Sequence, residues 1–384
     1  MLRKAFAGRL LTTALAIAAS GGALAELPPE TITTGKLPPP NPYRIFLSDV
    51  SIGHIVDGRL HVIDGDKLRY EGVIATGYAG QPILSADRRE VYVATTYYSR
   101  LSHGTRTDVV DIHDSQTLTK TGEVELPPRH AQSLNYKGTI RPSADGRWLF
   151  VQYATPATSV GVIDLKTRKT VNEIATPGCW SILPAASVGG RFSTVCGDGT
   201  LLTVSLDDKG QVSTQKRSAK FFDADKDPIF IHAEQDKDTY RFVSFLGDVY
   251  TAKVGTEVAS FEAPWSILTA ADRKQGWRPG GYQLIAQHNA SGRLYVGMHD
   301  KGMEGSHKTP AKEIWTIDLA SKKRVERTPG QNAIALAVSQ GEGSKLFAYD
   351  GVKAAIAVFD TSRKLTLAKR MEGVGETPTL MELY

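Results

Sequence analysis

The chain has 384 residues, 46 Lys and Arg against 41 Asp and Glu, a formal charge of +5, and only two cysteines. No dense Lys/Arg patch interleaved with aromatics accompanies that charge, which disfavours nucleic acid as a partner. Length alone allows two ordinary domains, yet a repeat that runs through nearly the whole chain argues for one.

Residues 1–25 read as a cleavable export signal. Arg3, Lys4 and Arg9 form a positive leader, Leu10 to Ala19 an apolar run, and Ala23-Leu24-Ala25 a small-residue cleavage pattern. The apolar run is short for a bilayer span, and no later stretch is long and apolar enough for a membrane helix. The expected location is the periplasm, with no membrane anchor. The leader also carries much of the excess positive charge. Residues 26–42 follow as a Pro-rich arm, with Pro28-Pro29 and Pro38-Pro39-Pro40 favouring extended polyproline geometry over a sheet ladder.

From Tyr43 onwards β-branched and aromatic residues alternate with polar ones, the pattern of half-buried strands. One phrase, a strand ending in an acidic turn, recurs at His61–Asp64, Val110–Asp114, Val162–Asp164, Val204–Asp207, Val249–Ala252, Trp315–Asp318 and Val358–Asp360. A second phrase, a polar turn running into an apolar strand, precedes most copies, as in Ser85-Ala86-Asp87 and Ser143-Ala144-Asp145-Gly146-Arg147. A period of about 40–50 residues with several strands per repeat is that of propeller blades. The expected fold is an all-β, seven-bladed β-propeller over residues 43–384, its repeat aspartates capping backbone amides at the turns.

Three further segments break the pattern. Tyr97 and Tyr98 are adjacent on a strand, so their rings point to opposite faces; they are candidates for a channel or interface, with aromatic edge packing as the other reading. Cys179 and Cys196 close a short loop, and in an exported chain such a pair is usually bonded; two separate buried thiols are the other reading. In the longest gap between repeats, Thr269-Ala270-Ala271-Asp272 is a capping box for a short helix ended by Gly276. The turn after it, Trp277-Arg278-Pro279-Gly280-Gly281, makes Trp277 and Arg278 candidates for a subunit contact, with packing of Trp277 on the neighbouring blade as the other reading.

Catalytic chemistry is harder to find. The nine histidines are scattered singly, with no zinc-protease spacing, and no Gly-x-Ser-x-Gly elbow occurs. Gly341-Glu342-Gly343-Ser344-Lys345 has the wrong spacing for a phosphate loop and reads as a hairpin turn. We therefore assign no catalytic residue and no metal to this chain, and expect the chemistry to lie on another one.

With these segments assembled, the sequence resembles the heavy subunit of the tryptophan tryptophylquinone amine dehydrogenases. The resemblance is carried by Thr96–Val110, Pro156–Asp164, Gly178-Cys179-Trp180-Ser181, Cys196-Gly197-Asp198-Gly199 and Gly276–Tyr282. Within that family Leu134-Asn135-Tyr136, Asp227–Ile231, Leu201-Leu202-Thr203 and Lys312–Trp315 look closer to the aromatic amine (aralkylamine) enzyme than to methylamine dehydrogenase. The resemblance implies an α2β2 heterotetramer with a small, cysteine-rich light subunit that carries the tryptophan tryptophylquinone and the catalytic base. It also implies oxidation of a primary amine to aldehyde and ammonia, with electrons passing to an azurin- or amicyanin-like blue-copper protein. The heavy-chain cysteines of the family are bonded, which matches Cys179 and Cys196. A phenylalanine on the first blade of the methylamine enzyme narrows the substrate channel; the matching stretch here is Ile52-Gly53-His54, with Gly53 at the ring position. Competing readings are a methylamine dehydrogenase heavy subunit, a stand-alone metal-dependent propeller enzyme, and a non-redox binding or scaffold propeller.

Overall fold

The computed structural model describes residues 33–132 and 135–384. The expected export signal, the start of the Pro-rich arm and Leu134 lie outside the described residues. Their regular structure is nearly all strand, with one α-helix, Ala270–Lys274, and two single 3-10 turns. The fold is propeller-like: successive antiparallel sheets, each built from strands consecutive in the chain.

The first sheet is the exception to that order. Arg44–Asp49 pairs with Gly58–Asp64 on one side and with the C-terminal strand Pro378–Leu383 on the other. The two ends of the chain therefore share one set of backbone hydrogen bonds. Gly58–Asp64 pairs in turn with the long strand Arg69–Leu84, which bends where Gly77 and Ala79 adopt positive φ, 64° and 50°. Glycine fits such a bend without strain, while the alanine is held there by its amide bond to Ile55 O at 3.2 Å. Beyond the bend the same strand starts the next sheet, with Glu90–Arg100, His103–Asp114 and Lys120–Leu126. Lys323–Val338 repeats the device, bending at Gln331 and Asn332 between its pairing with Ala311–Asp318 and its pairing with Lys345–Asp350.

The repeat phrases have the structural role expected of them. Asp64, Asp114, Asp164 and Asp207 each end or follow a strand and accept two backbone N–H groups of the next turn, at 2.7–3.2 Å. Ser85 and Ser143 close the second phrase, each donating its hydroxyl to the aspartate two residues on, at 2.7 and 2.5 Å. The expected helix is present too, with Thr269 as N-cap and Asp272 completing the capping box.

The core lies between sheets. Ile83, Tyr92 and Val110 of one sheet pack on Ile140, Leu149 and Val151 of the next. Ile45, Leu47 and Ile63 of the first sheet pack on Phe347, Tyr349 and Ile356 of the last. Face-to-face stacking of alternating apolar residues is what removes both faces of each sheet from water.

Cys179 and Cys196 face each other in the register of Cys179–Pro184 with Arg191–Cys196 and are bonded; no free cysteine remains.

One buried group makes the fold sensitive to acid. Burial, above all, pushes the His130 imidazole from the ordinary 6.5 down to about 4, with Arg106 acting the same way and Asp108 opposing. His130 is thus neutral when folded, and the unfolded chain takes the proton first as pH falls. Its contribution is complete above about pH 6.5 and is lost on the way to about 4. Thermal unfolding at pH 7 and pH 5 should show a smaller acid-induced drop in Tm for His130→Gln than for the wild type. Equal drops would contradict this assignment.

Candidate functional site

One end of the molecule gathers the loops that sequence reasoning singled out, and the contacts between them can be followed in order. Gly281 N–H donates to His307 O at 3.0 Å and Tyr282 N–H to Ile334 O at 2.7 Å. Gly351 N–H donates to Asn332 O, and Val374 N–H to Ala354 O. Residues 374–377 then meet the first sheet at Asp49.

Asp49 is the junction. Its buried carboxylate accepts the N–H groups of Ser51 at 2.8 Å, Glu376 at 2.6 Å and Thr377 at 3.0 Å. His61 Nε2 lies 3.4 Å away, and Tyr70 OH contacts His61 Nδ1 at 2.5 Å. Burial alone would raise this carboxyl, but the bonds from His61 and from the three amides outweigh it and hold Asp49 well below the usual carboxylate range. The turn Ile52–His54 hangs from this junction: Ile52 N–H donates to Thr377 Oγ1 at 2.9 Å, and His54 Nε2 meets Glu376 Oε2 at 2.8 Å. Ser51, at φ 45° and ψ 59°, turns the chain into it.

The three turn residues are presented differently. Ile52 is 52 % exposed, a large apolar side chain in water. His54 and Glu376 form an exposed polar pair beside it. A Cβ added at Gly53 would fall 2.9 Å from Glu376 Oε1, so a side chain there would meet this pair. Ile52, rather than position 53, is the free apolar group of the turn.

Past this turn, residues 56–58 and Tyr78, Tyr97, Tyr98 and Leu101 line a cleft of about 230 Å³. Structure thus brings the tyrosine pair beside the first-sheet loop. The Tyr97 hydroxyl donates to Asp111 Oδ2 at 2.5 Å, and burial, then that carboxylate, raises its pKa. Tyr98 packs edge-on against Tyr78, ring centroids 5.5 Å apart. A larger cavity, about 570 Å³, is walled by Tyr136, Phe230, Phe245, Tyr282, His307 and Lys308 among others.

Trp277 and Arg278 are placed otherwise than expected of an exposed turn. Trp277 is only 4 % exposed, its ring 5.3 Å from Trp315 and under the Arg327 guanidinium at 4.6 Å. Arg278, half-buried, donates to Trp277 O at 2.8 Å. The turn is short and the neighbouring strand carries Trp315, so burial of a second indole prevails over its exposure. Trp277 thus belongs to the core, while Arg278 stays partly exposed.

Sequence reasoning also missed an ionic group deeper in the fold. Lys137 Nζ pairs with Glu234 Oε1 at 3.0 Å, and His232 Nε2 meets the same oxygen at 3.0 Å. Burial would raise Glu234, but Lys137 and His232 hold it down to about 2. Lys137 lies 97 positions from Glu234, and no local pattern announces a pair that only tertiary contact creates. Among the described residues no group of three or more His, Cys, Asp or Glu is placed to hold a metal ion, and no helix is long and apolar enough to cross a membrane.

Comparison with known proteins gives the lineage. The heavy chain of methylamine dehydrogenase from Methylobacillus flagellatus is 26% identical over 393 residues, covering 97% of this chain and 96% of its own. That from Methylorubrum extorquens is 28% identical over 330 residues, covering 85% and 79%. Solved structures share the fold at low identity. Dihydro-heme d1 dehydrogenase NirN superposes with a TM-score of 0.55 at 17% identity, over 94% of this chain and 78% of that one. Kuenenia stuttgartiensis hydrazine synthase gives 0.54 at 14%, over 88% and 100%. The family description "Methylamine dehydrogenase heavy chain (MADH)" matches residues 41–383. This chain belongs to the methylamine dehydrogenase heavy chain family.

Proposed function

We propose that this chain is the heavy subunit of a periplasmic quinoprotein amine dehydrogenase, a seven-bladed propeller paired with a small light chain in an α2β2 assembly. The observation that carries the reading is the family match over residues 41–383. Stacking of the first sheet on the last, and the shared hydrogen bonds of the two chain ends, support the closed ring. The tryptophan tryptophylquinone belongs to the light chain in this reading and supplies the electron sink for oxidation of a primary amine to aldehyde and ammonia. Electrons would leave to an amicyanin- or azurin-like blue-copper protein.

This chain's own part is to wall the approach to the partner's quinone. An apolar turn at Ile52, the adjacent tyrosine cleft and the absence of an assigned nucleophile fit a wall rather than a reacting group. The relatives named methylamine dehydrogenase favour a short primary amine over the aromatic one suggested by local motifs. The aromatic reading keeps one supporting observation: positions 52 and 53 of the exposed turn carry no aromatic ring, which suits a bulkier substrate.

Steady-state oxidation of methylamine and of phenethylamine by the tetramer decides between them. A higher kcat/KM for methylamine supports the first reading and a higher value for phenethylamine the second; turnover of neither removes both. Ile52→Phe should then lower kcat/KM for phenethylamine about tenfold, or about 1.4 kcal/mol, while methylamine changes by less than about twofold. Gly53→Phe should disturb both amines alike, since its side chain meets Glu376. Equal losses for both amines in Ile52→Phe would place the turn away from the channel.

A further inference from the structure

The 230 Å³ cleft past the Ile52–His54 turn is richer in chemistry than a plain wall requires. Three tyrosines line it, Tyr78, Tyr97 and Tyr98, and among the described residues Asp57 is the one charged side chain they share it with. Tyr78 and Tyr98 meet edge to face, their planes 75° apart, and so form a corner. Groups around the rings hold them in place. Asp111 accepts the Tyr97 hydroxyl at 2.5 Å, and Lys120, bonded to the same carboxylate at 2.6 Å, sets its ammonium 6.0 Å from the Tyr97 ring centroid. Gln132 Nε2 donates to the Tyr98 hydroxyl at 3.2 Å. Gly77 leaves the space beside Tyr97 open, since a Cβ there would stand 3.1 Å from that ring. At the rim, Asp57 Oδ2 is bonded to Arg59, while Oδ1 has no hydrogen-bond partner among the described residues. Both side chains of that pair are about half exposed, and an exposed pair is weak, so the carboxylate can take a second cation.

From this arrangement we propose that the tyrosine cleft is a binding site for an organic ammonium ion with an apolar tail, held by Asp57 and the faces of Tyr78, Tyr97 and Tyr98. Aromatic faces carry negative potential and attract cations, the more so where several rings meet. A carboxylate with a free oxygen supplies the hydrogen-bond acceptor that an ammonium group needs. Val56, Ala75 and Leu101, the apolar part of the lining, suit the tail. An anion would face the carboxylate and the ring faces alike, and a neutral ligand would gain nothing from Asp57. The proposal rests on the amine dehydrogenase reading for the ligand's role. A primary amine is an ammonium ion at neutral pH, as a lysine side chain is, and the cleft would hold it on this chain before it passes the Ile52–His54 turn.

The test is calorimetric titration of the native protein, purified through a tag on this chain, with phenethyltrimethylammonium. Its quaternary nitrogen cannot condense with a quinone carbonyl, so binding is read without turnover. Asp57→Asn and Tyr98→Leu should each raise Kd about fivefold. Tyr98→Phe, which keeps the ring, and Glu342→Gln, an exposed acid on a distant hairpin, should leave it unchanged. 2-Phenylethanol, the uncharged analogue, should bind more weakly than the cation. In Asp57→Asn the KM for phenethylamine should rise with Kd while kcat holds. Thermal unfolding confirms that each variant folds. Unchanged affinity in both Asp57→Asn and Tyr98→Leu, or 2-phenylethanol bound as tightly as the cation, would overturn the site. Amine turnover by the same preparation keeps the two readings apart: turnover without cleft binding removes only the site, and absence of turnover removes the amine dehydrogenase reading while the titration still decides the cleft.

Discussion

Cys179→Ala should destabilise the chain by about 2–5 kcal/mol and leave the chemistry of turnover unchanged. The bond joins two neighbouring strands whose partners already face each other in register. The two cysteines and Leu202 form a small buried cluster of their own, so substitution also removes apolar contacts that no neighbouring cluster replaces. Chemical denaturation of variant and wild type under non-reducing conditions measures the difference. A change under about 0.5 kcal/mol would show that the sheet holds the loop without the bridge.

Asp49→Ala should cost about 3–5 kcal/mol, of the order found when one partner of a buried ionic network is removed. The carboxylate is the common acceptor for the amides of Ser51, Glu376 and Thr377 and a neighbour of His61. Without it these amides are left in a site that admits little water, and each unmet donor is costly. The variant should therefore loosen the seam between the first sheet and residues 374–377 as well as lower global stability. Amide exchange at Glu376 and Thr377 reports the seam separately from the whole. Unchanged protection there would contradict the role given to Asp49. Because its pKa is depressed, the stability Asp49 provides is present above the ordinary carboxylate value and is lost as pH falls through its own, lower one.

Much of the strand architecture was legible because the repeat signals are local. An aspartate closing most strand pairs, a serine two residues before another aspartate, and Thr269 three before Asp272 act through contacts a few residues long. The cysteine pair was legible from its loop length and expected compartment. The site was legible only in part. The Ile52 turn and the tyrosine pair were both singled out, but their joining at one cleft depends on Ala79 reaching Ile55. The Asp49 junction links positions 327 and 328 residues apart, beyond any periodicity. Gly and Pro around the Trp277 indole fit either an exposed turn or packing on the next blade, and Trp315 and Arg327 from neighbouring strands decide for burial. The aromatic-amine preference rested on short motifs, and the whole-chain relatives, at 26% and 28% identity, are methylamine enzymes.

A heavy subunit must work with a second chain. The most direct measurement is purification of the native protein through a tag on this chain, followed by intact mass and a visible spectrum before and after addition of methylamine or phenethylamine. The account predicts a small second chain in equal amount, visible absorbance carried by that chain, and bleaching by at least one amine, while this chain purified alone is colourless and inert. A colourless single chain from the native source, or amine oxidation by this chain without a partner, would contradict it.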